Sequence, residues 1–183
     1  MKYTVENLVN DGHPKEYIFF WGHQSSKDDS ITKSCFSQWW ESAFEVNGIN
    51  YKSAEHWMMA KKAVLFDDTE TAARILECNS PAETKKLGRE VKNYVDLVWL
   101  EHRYKIVLEG NYHKFNQNEE LKTFLLGTQH SVIVEASPVD AIWGIGMAAD
   151  DVRVNDPEKW RGLNLLGFAL MEVRDIIKEN RSI

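Results

Sequence analysis

A chain of 183 residues in which 43% of the side chains are hydrophobic is long enough to fold around its own core without disulfides or a structural metal. Its net charge of -6, from 28 acidic and 22 basic residues, argues against broad binding to a phosphate backbone, which needs a cationic surface. No apolar run reaches the length of a membrane span, and the two cysteines form no paired motif, so we expect one soluble cytoplasmic domain over residues 1–183 with no membrane partner.

Short strands come first along the chain. The aromatic residues at 17–21 predict a strand, and the polar tract at 25–30 predicts a loop. Asn47 and Gly48 lie between two apolar segments, and both tolerate a positive φ. This pattern predicts a β-hairpin.

Helices dominate after the hairpin. Ser53 can cap the first helix. Ser80 and Glu83 form a capping box at the start of a later helix, and Gly88 is predicted to end that helix. In chain order we predict a helix over residues 54–66, one that starts at 68 or 69 and ends near 77, helices over 81–88, 96–114 and 116–126, a strand over 131–135 and a helix over 164–178. Because strands and helices do not alternate regularly, we expect an α+β fold, mainly helical around a small sheet, and not a doubly wound nucleotide fold.

The most informative segment follows the predicted strand at 131–135. Glu135 and Asp140 place two carboxylates five residues apart, and Trp143 is followed by Gly144. An acid can move a proton or stabilise a cation, an aromatic ring can stack on a planar group, and glycine lets the backbone approach a ligand. The segment therefore predicts a pocket for a flat, polar ligand. The alternative is that Asp140 caps a turn and Glu135 faces solvent.

The helix over 54–66 is apolar around most of its circumference, which indicates burial on several sides. Glu55 and Lys62 lie on it two turns apart, and charges on a buried helix must be paired, reach a cleft or serve a function. In the alternative reading, Glu55 stabilises the helix dipole and Lys62 extends its ammonium to solvent.

Two further positions have a functional and a structural interpretation. Arg89 is either a charge at a helix end or a phosphate ligand. Trp99 is four residues before Arg103, a spacing that fits a cation–π contact as well as stacking on a ligand. The sequence contains no HExxH, P-loop, GxGxxG or GxSxG motif, which excludes the common zinc proteases, Walker ATPases, Rossmann dehydrogenases and α/β-hydrolases.

Separated motifs of this chain resemble the NADAR, or YbiA-like, family. They occur in family order from about residue 17 to the C-terminus. The matching segments are Phe36-Ser37-Gln38-Trp39, Ser53-Ala54-Glu55-His56-Trp57, Lys62-Ala63, Leu87-Gly88-Arg89, Trp99, residues 114–118, residues 125–128, Glu135-Ala136-Ser137, Asp140, Trp143-Gly144-Ile145-Gly146, residues 160–167 and residues 170–174.

The resemblance implies a compact α+β fold and an N-glycosidase that cleaves the bond between ribose C1 and a nitrogen. The implied substrates are phosphoribosylamino-pyrimidine intermediates of riboflavin synthesis, or ADP-ribose attached to guanine. The partner is then a small ribosyl-nucleobase or ADP-ribose-type molecule, with ADP-ribosylated nucleic acid as a second candidate. The reaction needs no metal and no redox cofactor.

Site residues follow from the same resemblance. Glu55 and Asp140 correspond to the acidic, catalytic residues of the family. The substrate-binding positions are Phe36, Ser37, Lys62, Arg89, Trp99, Trp143, Gly144 and Asn164. The chain departs from the family pattern at Gln38, where asparagine is common, and at Met59, where glutamine is common, and both changes affect expected ligand contacts.

Two other classes of function are compatible with the residues themselves. One is a module that binds ADP-ribose or a nucleotide without cleaving it, for which the same tryptophans and basic residues suffice. The other is a structural or partner-binding helical domain in which the aromatic residues form the core and the acids are caps.

Overall fold

The computed structural model of the chain describes residues 1–13, 15–28 and 30–181. Asp29 of the predicted loop at 25–30, together with Pro14 and residues 182–183 of the predicted domain, lies outside the described residues. The chain divides into two compact units, one formed by residues 1–37 with 120–183 and the other by residues 38–119.

The helices and strands confirm the predicted α+β class. In chain order they are α1 (Val5–Asp11), β1 (Tyr17–Phe20), β2 (Glu41–Val46), β3 (Ile49–Ser53), α2 (Ala54–Leu65), α3 (Thr69–Glu77), α4 (Pro81–Glu90), α5 (Asp96–Gln117), α6 (Glu119–Gly127), β4 (Val132–Glu135) and α7 (Leu165–Lys178), with 3₁₀ turns at Lys33–Phe36 and Pro157–Lys159. The strands form two separate pairs and not one sheet.

The first unit is organised by a parallel strand pair. β1 pairs with β4 from Tyr17 opposite Val132 to Phe20 opposite Glu135. The β-branched run of β4 is buried, as expected for a strand that is covered on both faces. The apolar helix α7 packs against β4. This packing places the end of β4 and the beginning of α7 side by side.

The second unit is built around α2. β2 and β3 form the predicted hairpin, in which Asn47 has φ 52° and Gly48 has φ 77°. Helices α3, α4 and α5 and strand β3 all pack against α2. Contacts on this many sides explain why α2 is apolar around most of its circumference.

Two predicted helix starts are confirmed by their caps, and one predicted stop is wrong. The Ser53 hydroxyl accepts a hydrogen bond from the amide of His56, and the Ser80 hydroxyl accepts one from Glu83. Helix α4 does not end at Gly88 but continues to Glu90. A Cβ at Gly88 would lie 2.0 Å from the sulfur of Met59, so this glycine permits close packing of α4 on α2.

The remaining differences concern short segments and helix ends. Helix α1 and the two 3₁₀ turns were not predicted, because each is too short to show a hydrophobic period. Helix α5 extends beyond Lys114 because Lys114 and Phe115 are buried within it. Over the described part of the chain, no helix has both the length and the apolar character needed to span a bilayer.

Candidate functional site

The candidate site residues are distributed over both units. The first unit contains Phe36, Ser37, Asp140, Trp143, Gly144 and Asn164, and the second contains Glu55, Lys62, Arg89 and Trp99.

Asp140 organises the segment after β4, which we call the acid–tryptophan loop (residues 135–146). Its Oδ1 accepts hydrogen bonds from the amides of Ile142 and Trp143, both at 2.8 Å. Its carbonyl accepts a third from Gly146 at 3.0 Å. The capping interpretation of Asp140 is therefore correct for one oxygen. Among the residues that the structure describes, Oδ2 accepts no hydrogen bond, so this oxygen is available for another role.

Backbone hydrogen bonds fix the acid–tryptophan loop to the start of α7. The backbone amides of five residues donate to carbonyls of this loop. The pairs, with the donor first, are Arg161 to Ile145, Leu163 to Ala141, Asn164 to Gly144, Leu165 to Ile142 and Leu166 to Trp143. A Cβ at Gly144 would lie 2.7 Å from the Glu135 carbonyl oxygen, so only glycine fits at this close approach. These hydrogen bonds and this close approach restrain the conformation of the loop.

Asn164 joins β4 to α7. It adopts a left-handed conformation with φ 52° and is fully buried. Its side chain accepts a hydrogen bond from the amide of Glu135 and donates one to the carbonyl of Ile133, each at 3.0 Å. In this position the side chain supports the acid–tryptophan loop and is shielded from solvent.

Phe36 and Ser37 lie in and just after the first 3₁₀ turn. The Phe36 ring is fully buried, with its centroid 5.5 Å from those of Phe20 and Phe124. Ser37 is half-buried, and its amide donates to the carbonyl of Ser34 at 3.1 Å. Phe36 therefore contributes packing within the first unit, and Ser37 is the more accessible of the two.

In the second unit, Lys62 and Trp99 are brought together. The Lys62 ammonium lies 4.4 Å from the ring centroid of Tyr94 and 5.7 Å from that of Trp99, and it donates to the carbonyl of Gly88 at 2.7 Å. Burial lowers the pKa of Lys62, and the nearby charge of Asp96 acts in the opposite direction. We call Lys62, Tyr94 and Trp99 the lysine–aromatic cluster.

Two details of this cluster differ from the sequence interpretation. Among the described residues, the cation over Trp99 is Lys62 and not Arg103, which is four residues further along α5. Tyr94 was not predicted as a site residue, because a single aromatic side chain five positions before Trp99 forms no recognisable motif. Arg89 is exposed in the last turn of α4, directly after the glycine whose carbonyl binds Lys62.

Glu55 lies in the first turn of α2 and is only 3% exposed. A carboxylate that serves only the helix dipole would be expected in solvent, so this burial favours a further role. The Glu55 amide donates to the carbonyl of Gln38 at 2.9 Å, and the Gln38 side chain accepts from Asn111 of α5 at 2.8 Å. Gln38, one of the departures from the family pattern, thus fixes the backbone at Glu55.

His56, the next residue, has both ring nitrogens occupied. Nδ1 accepts from the amide of Lys52 at 3.0 Å, and Nε2 lies 2.7 Å from the carbonyl of Ile75. Burial lowers the pKa of His56, partly offset by the bond to Ile75. A buried, neutral imidazole with both nitrogens in use is structural, and it is not available as an acid or base.

The family model for the NADAR domain matches residues 19–178. The chain belongs to the NADAR domain family. The match includes all of the candidate site residues and runs through both units, whereas α1 precedes it.

Curated relatives agree with this assignment. The NADAR chain is 45% identical over 166 residues to N-glycosidase R617 of Acanthamoeba polyphaga mimivirus, covering 87% of this chain and 95% of the relative. It is 28% identical over 151 residues to N-glycosidase YbiA of Escherichia coli K12, covering 82% and 84%. The NMR structure of E. coli YbiA superposes with a TM-score of 0.72 at 24% identity, over 92% of this chain and 88% of that one, and therefore has the same fold.

Proposed function

We propose that this NADAR protein is an N-glycosidase, a hydrolase that cleaves the bond between ribose C1 and a nitrogen of a nucleobase-like group. The names of its relatives support the general activity, in particular N-glycosidase R617, which it matches over nearly the whole of that relative. The structural observation that carries the proposal is the geometry of the acid–tryptophan loop. Asp140 lies three residues before Trp143, and its Oδ2 accepts no hydrogen bond from the described residues.

The chemistry of C1–N cleavage explains why carboxylates are needed. As the bond breaks, positive charge develops on C1 and the ring oxygen, and negative charge develops on the departing base. A fixed carboxylate stabilises the cation and orients the attacking water, whereas hydrogen-bond donors assist the leaving group.

In this proposal Asp140 stabilises the ribosyl cation and activates water through Oδ2. Its Oδ1 holds the loop, so the carboxylate is oriented before substrate arrives. Glu55 takes the second acidic role, in which it positions the ribose hydroxyls or the leaving base. Its burial suits this role, because an acid shielded from water interacts more strongly with a bound group.

The lysine–aromatic cluster and Trp143 serve substrate binding. The Lys62 ammonium and the neighbouring exposed Arg89 suit a phosphate group. Trp99 and Trp143 are half-buried and each present an indole for stacking on a planar base, a contact worth about 1–3 kcal/mol per base. Within the first unit, Gly144 and Asn164 hold the loop that carries Trp143, and Phe36 and Ser37 support substrate binding in this proposal.

Two substrates combine a phosphate, a ribose C1–N bond and a planar leaving group. One is a phosphoribosylamino-pyrimidine, and the other is ADP-ribose attached to guanine, as a nucleotide or in an oligonucleotide. The net charge of -6 favours a small molecule or a single nucleotide over long contacts with nucleic acid.

Mass spectrometry of reactions with each substrate tests the proposal. We expect free base to be released from one of them by the wild-type protein and to be reduced by about 10²-fold or more in Glu55→Gln, which is nearly isosteric. If ADP-ribose quenches tryptophan fluorescence but neither substrate is cleaved, the protein is a binding module and the N-glycosidase proposal is wrong.

A further inference from the structure

The first unit contains a cavity of about 520 Å³, which the proposed reaction does not use. It lies between the end of α6, the turn that follows and the end of α7, and we call it the α6–α7 cavity. Its basic lining residues are Lys122, His130, Arg174 and Lys178, and its apolar ones are Leu126 and Ile177. Within the described residues no carboxylate side chain lines it, although the chain as a whole is acidic.

Arg174 is the fixed charge of this cavity. It is 4% exposed, and its Nη1 donates to the hydroxyl of Thr128 at 2.7 Å and to the carbonyl of Ser131 at 2.9 Å. Its buried Nε has no hydrogen-bond partner in the described part of the chain. The guanidinium is therefore rigidly held while only part of its donor capacity is used.

The neighbouring Asp175 does not neutralise this charge alone. The Asp175 Oδ2 is hydrogen-bonded to the ammonium of Lys2 at 2.5 Å and to the hydroxyl of Tyr3 at 2.6 Å. The negative charge of Asp175 is thus shared with Lys2, so it does not fully offset the positive charge of Arg174, which lines the cavity.

The basic residues are not needed to satisfy the two helix ends. After α6, the amides of Thr128 and Gln129 bond to the carbonyls of Leu125 and Leu126. After α7, the amides of residues 179–181 bond to the carbonyls of Asp175, Ile177 and Ile176. Because backbone amides cap these carbonyls, the side chains of His130 and Lys178 are not needed to cap them. Over the described residues, Lys178 forms no salt bridge.

We propose that the α6–α7 cavity binds a phosphate group, held by Arg174, Lys178 and His130. A volume of about 520 Å³ is within the range of small-molecule sites. Arginine and lysine are the usual partners of phosphate, and Leu126 and Ile177 offer an apolar surface to an attached organic group. The ligand is either inorganic phosphate or a phosphomonoester.

NMR titration of the ¹⁵N-labelled protein tests this site. The probes are inorganic phosphate and adenosine 5′-monophosphate, and the readouts are the amide signals of residues 129–131 and 178. We expect saturable shifts of these signals. Shifts with both probes identify phosphate itself as sufficient, whereas shifts with the nucleotide alone identify a phosphomonoester site. Substitution of Arg174 could unfold the turn that it anchors, so the informative variants are Lys178→Gln and His130→Gln.

Each variant is expected to weaken the affinity measured at these signals by about threefold, the scale of an exposed charge contact. Lys86→Gln, which removes an equally exposed lysine from α4 of the second unit, is the matched control and should leave the affinity unchanged. The proposal is wrong if neither probe shifts these signals saturably, or if Lys178→Gln and Lys86→Gln bind equally.

Discussion

Asp140 holds the acid–tryptophan loop, and we propose that the same side chain also serves catalysis. Its two oxygens have different environments, because Oδ1 accepts from the amides of Ile142 and Trp143 while Oδ2 accepts from no described residue. An asparagine retains an acceptor oxygen for the loop but removes the charge. An alanine removes both, so the two substitutions separate the structural role from the proposed chemical one.

We therefore expect Asp140→Asn to have nearly the same free energy of unfolding as the wild type. The free energy of unfolding of Asp140→Ala should be lower by about 1–2 kcal/mol, because two hydrogen bonds are lost. Both variants should lose about 10²-fold or more in turnover. Chemical unfolding and a product-release assay measure the two effects. An Asp140→Asn protein with unchanged turnover would exclude a charged catalytic role.

Burial of His56 predicts how the free energy of unfolding depends on pH. Burial lowers its pKa in the folded protein, so the unfolded chain binds this proton more readily. The contribution of neutral His56 to stability is present above the ordinary histidine pKa of about 6.5 and is lost as the pH falls below it.

The difference in unfolding free energy between wild type and His56→Gln should therefore shrink between about pH 7.5 and about pH 5.5. The comparison isolates His56 from His113, whose pKa is also lowered by burial. A difference that stays constant over this range would show that His56 does not titrate as the structure indicates.

At the scale of elements, the contact between α4 and α2 depends on Gly88. Gly88→Ala places a methyl group 2.0 Å from the sulfur of Met59 and 3.3 Å from its Cβ. We expect a loss of about 1–3 kcal/mol in unfolding free energy, as for other overpacked sites. Gly127→Ala is the control, because a Cβ there meets nothing within 4 Å and alanine favours the helix. Equal stability of the two variants would contradict the packing argument.

The link from β4 to α7 is tested at Asn164. Asn164→Ala loses the two buried hydrogen bonds to β4 and also places alanine at φ 52°. Asn164→Gly loses the same bonds but tolerates this φ. Thermal unfolding should show Asn164→Ala less stable than Asn164→Gly by about 1 kcal/mol, and both less stable than the wild type. Should alanine and glycine prove equal, the left-handed backbone contributes no strain.

Turns and helix caps could be predicted from the sequence, whereas packing contacts between helices could not. The Asn47-Gly48 turn and the Ser53 and Ser80 caps depend on neighbouring residues only, and the structure has all three. Gly88 was interpreted as a local stop, but its reason is Met59 on another helix. The pattern therefore predicted where most helices begin better than where each one ends.

At the scale of the whole molecule, long-range pairing lay beyond the sequence pattern. Nothing in the residues of β1 specifies a parallel partner at Val132–Glu135, although the end of that partner positions the acid–tryptophan loop. The proximity of Lys62 to Trp99 was expected only from the family resemblance, and Tyr94 was not expected at all. The capping role of Asp140 was predicted as an alternative to catalysis, and the structure shows this cap at Oδ1, whereas the catalytic role stays a proposal.

Hydrolysis of a ribose C1–N bond by this chain is the central proposal, and the fate of the oxygen of water tests that step most directly. The protein is incubated in heavy-oxygen water with the phosphoribosylamino-pyrimidine and with ADP-ribosylated guanosine nucleotide. We predict that the sugar product gains one heavy oxygen at C1, that the released base gains none, and that Glu55→Gln and Asp140→Asn form little of either product. Intact substrates with wild-type protein, or the heavy oxygen in the base, would contradict the account.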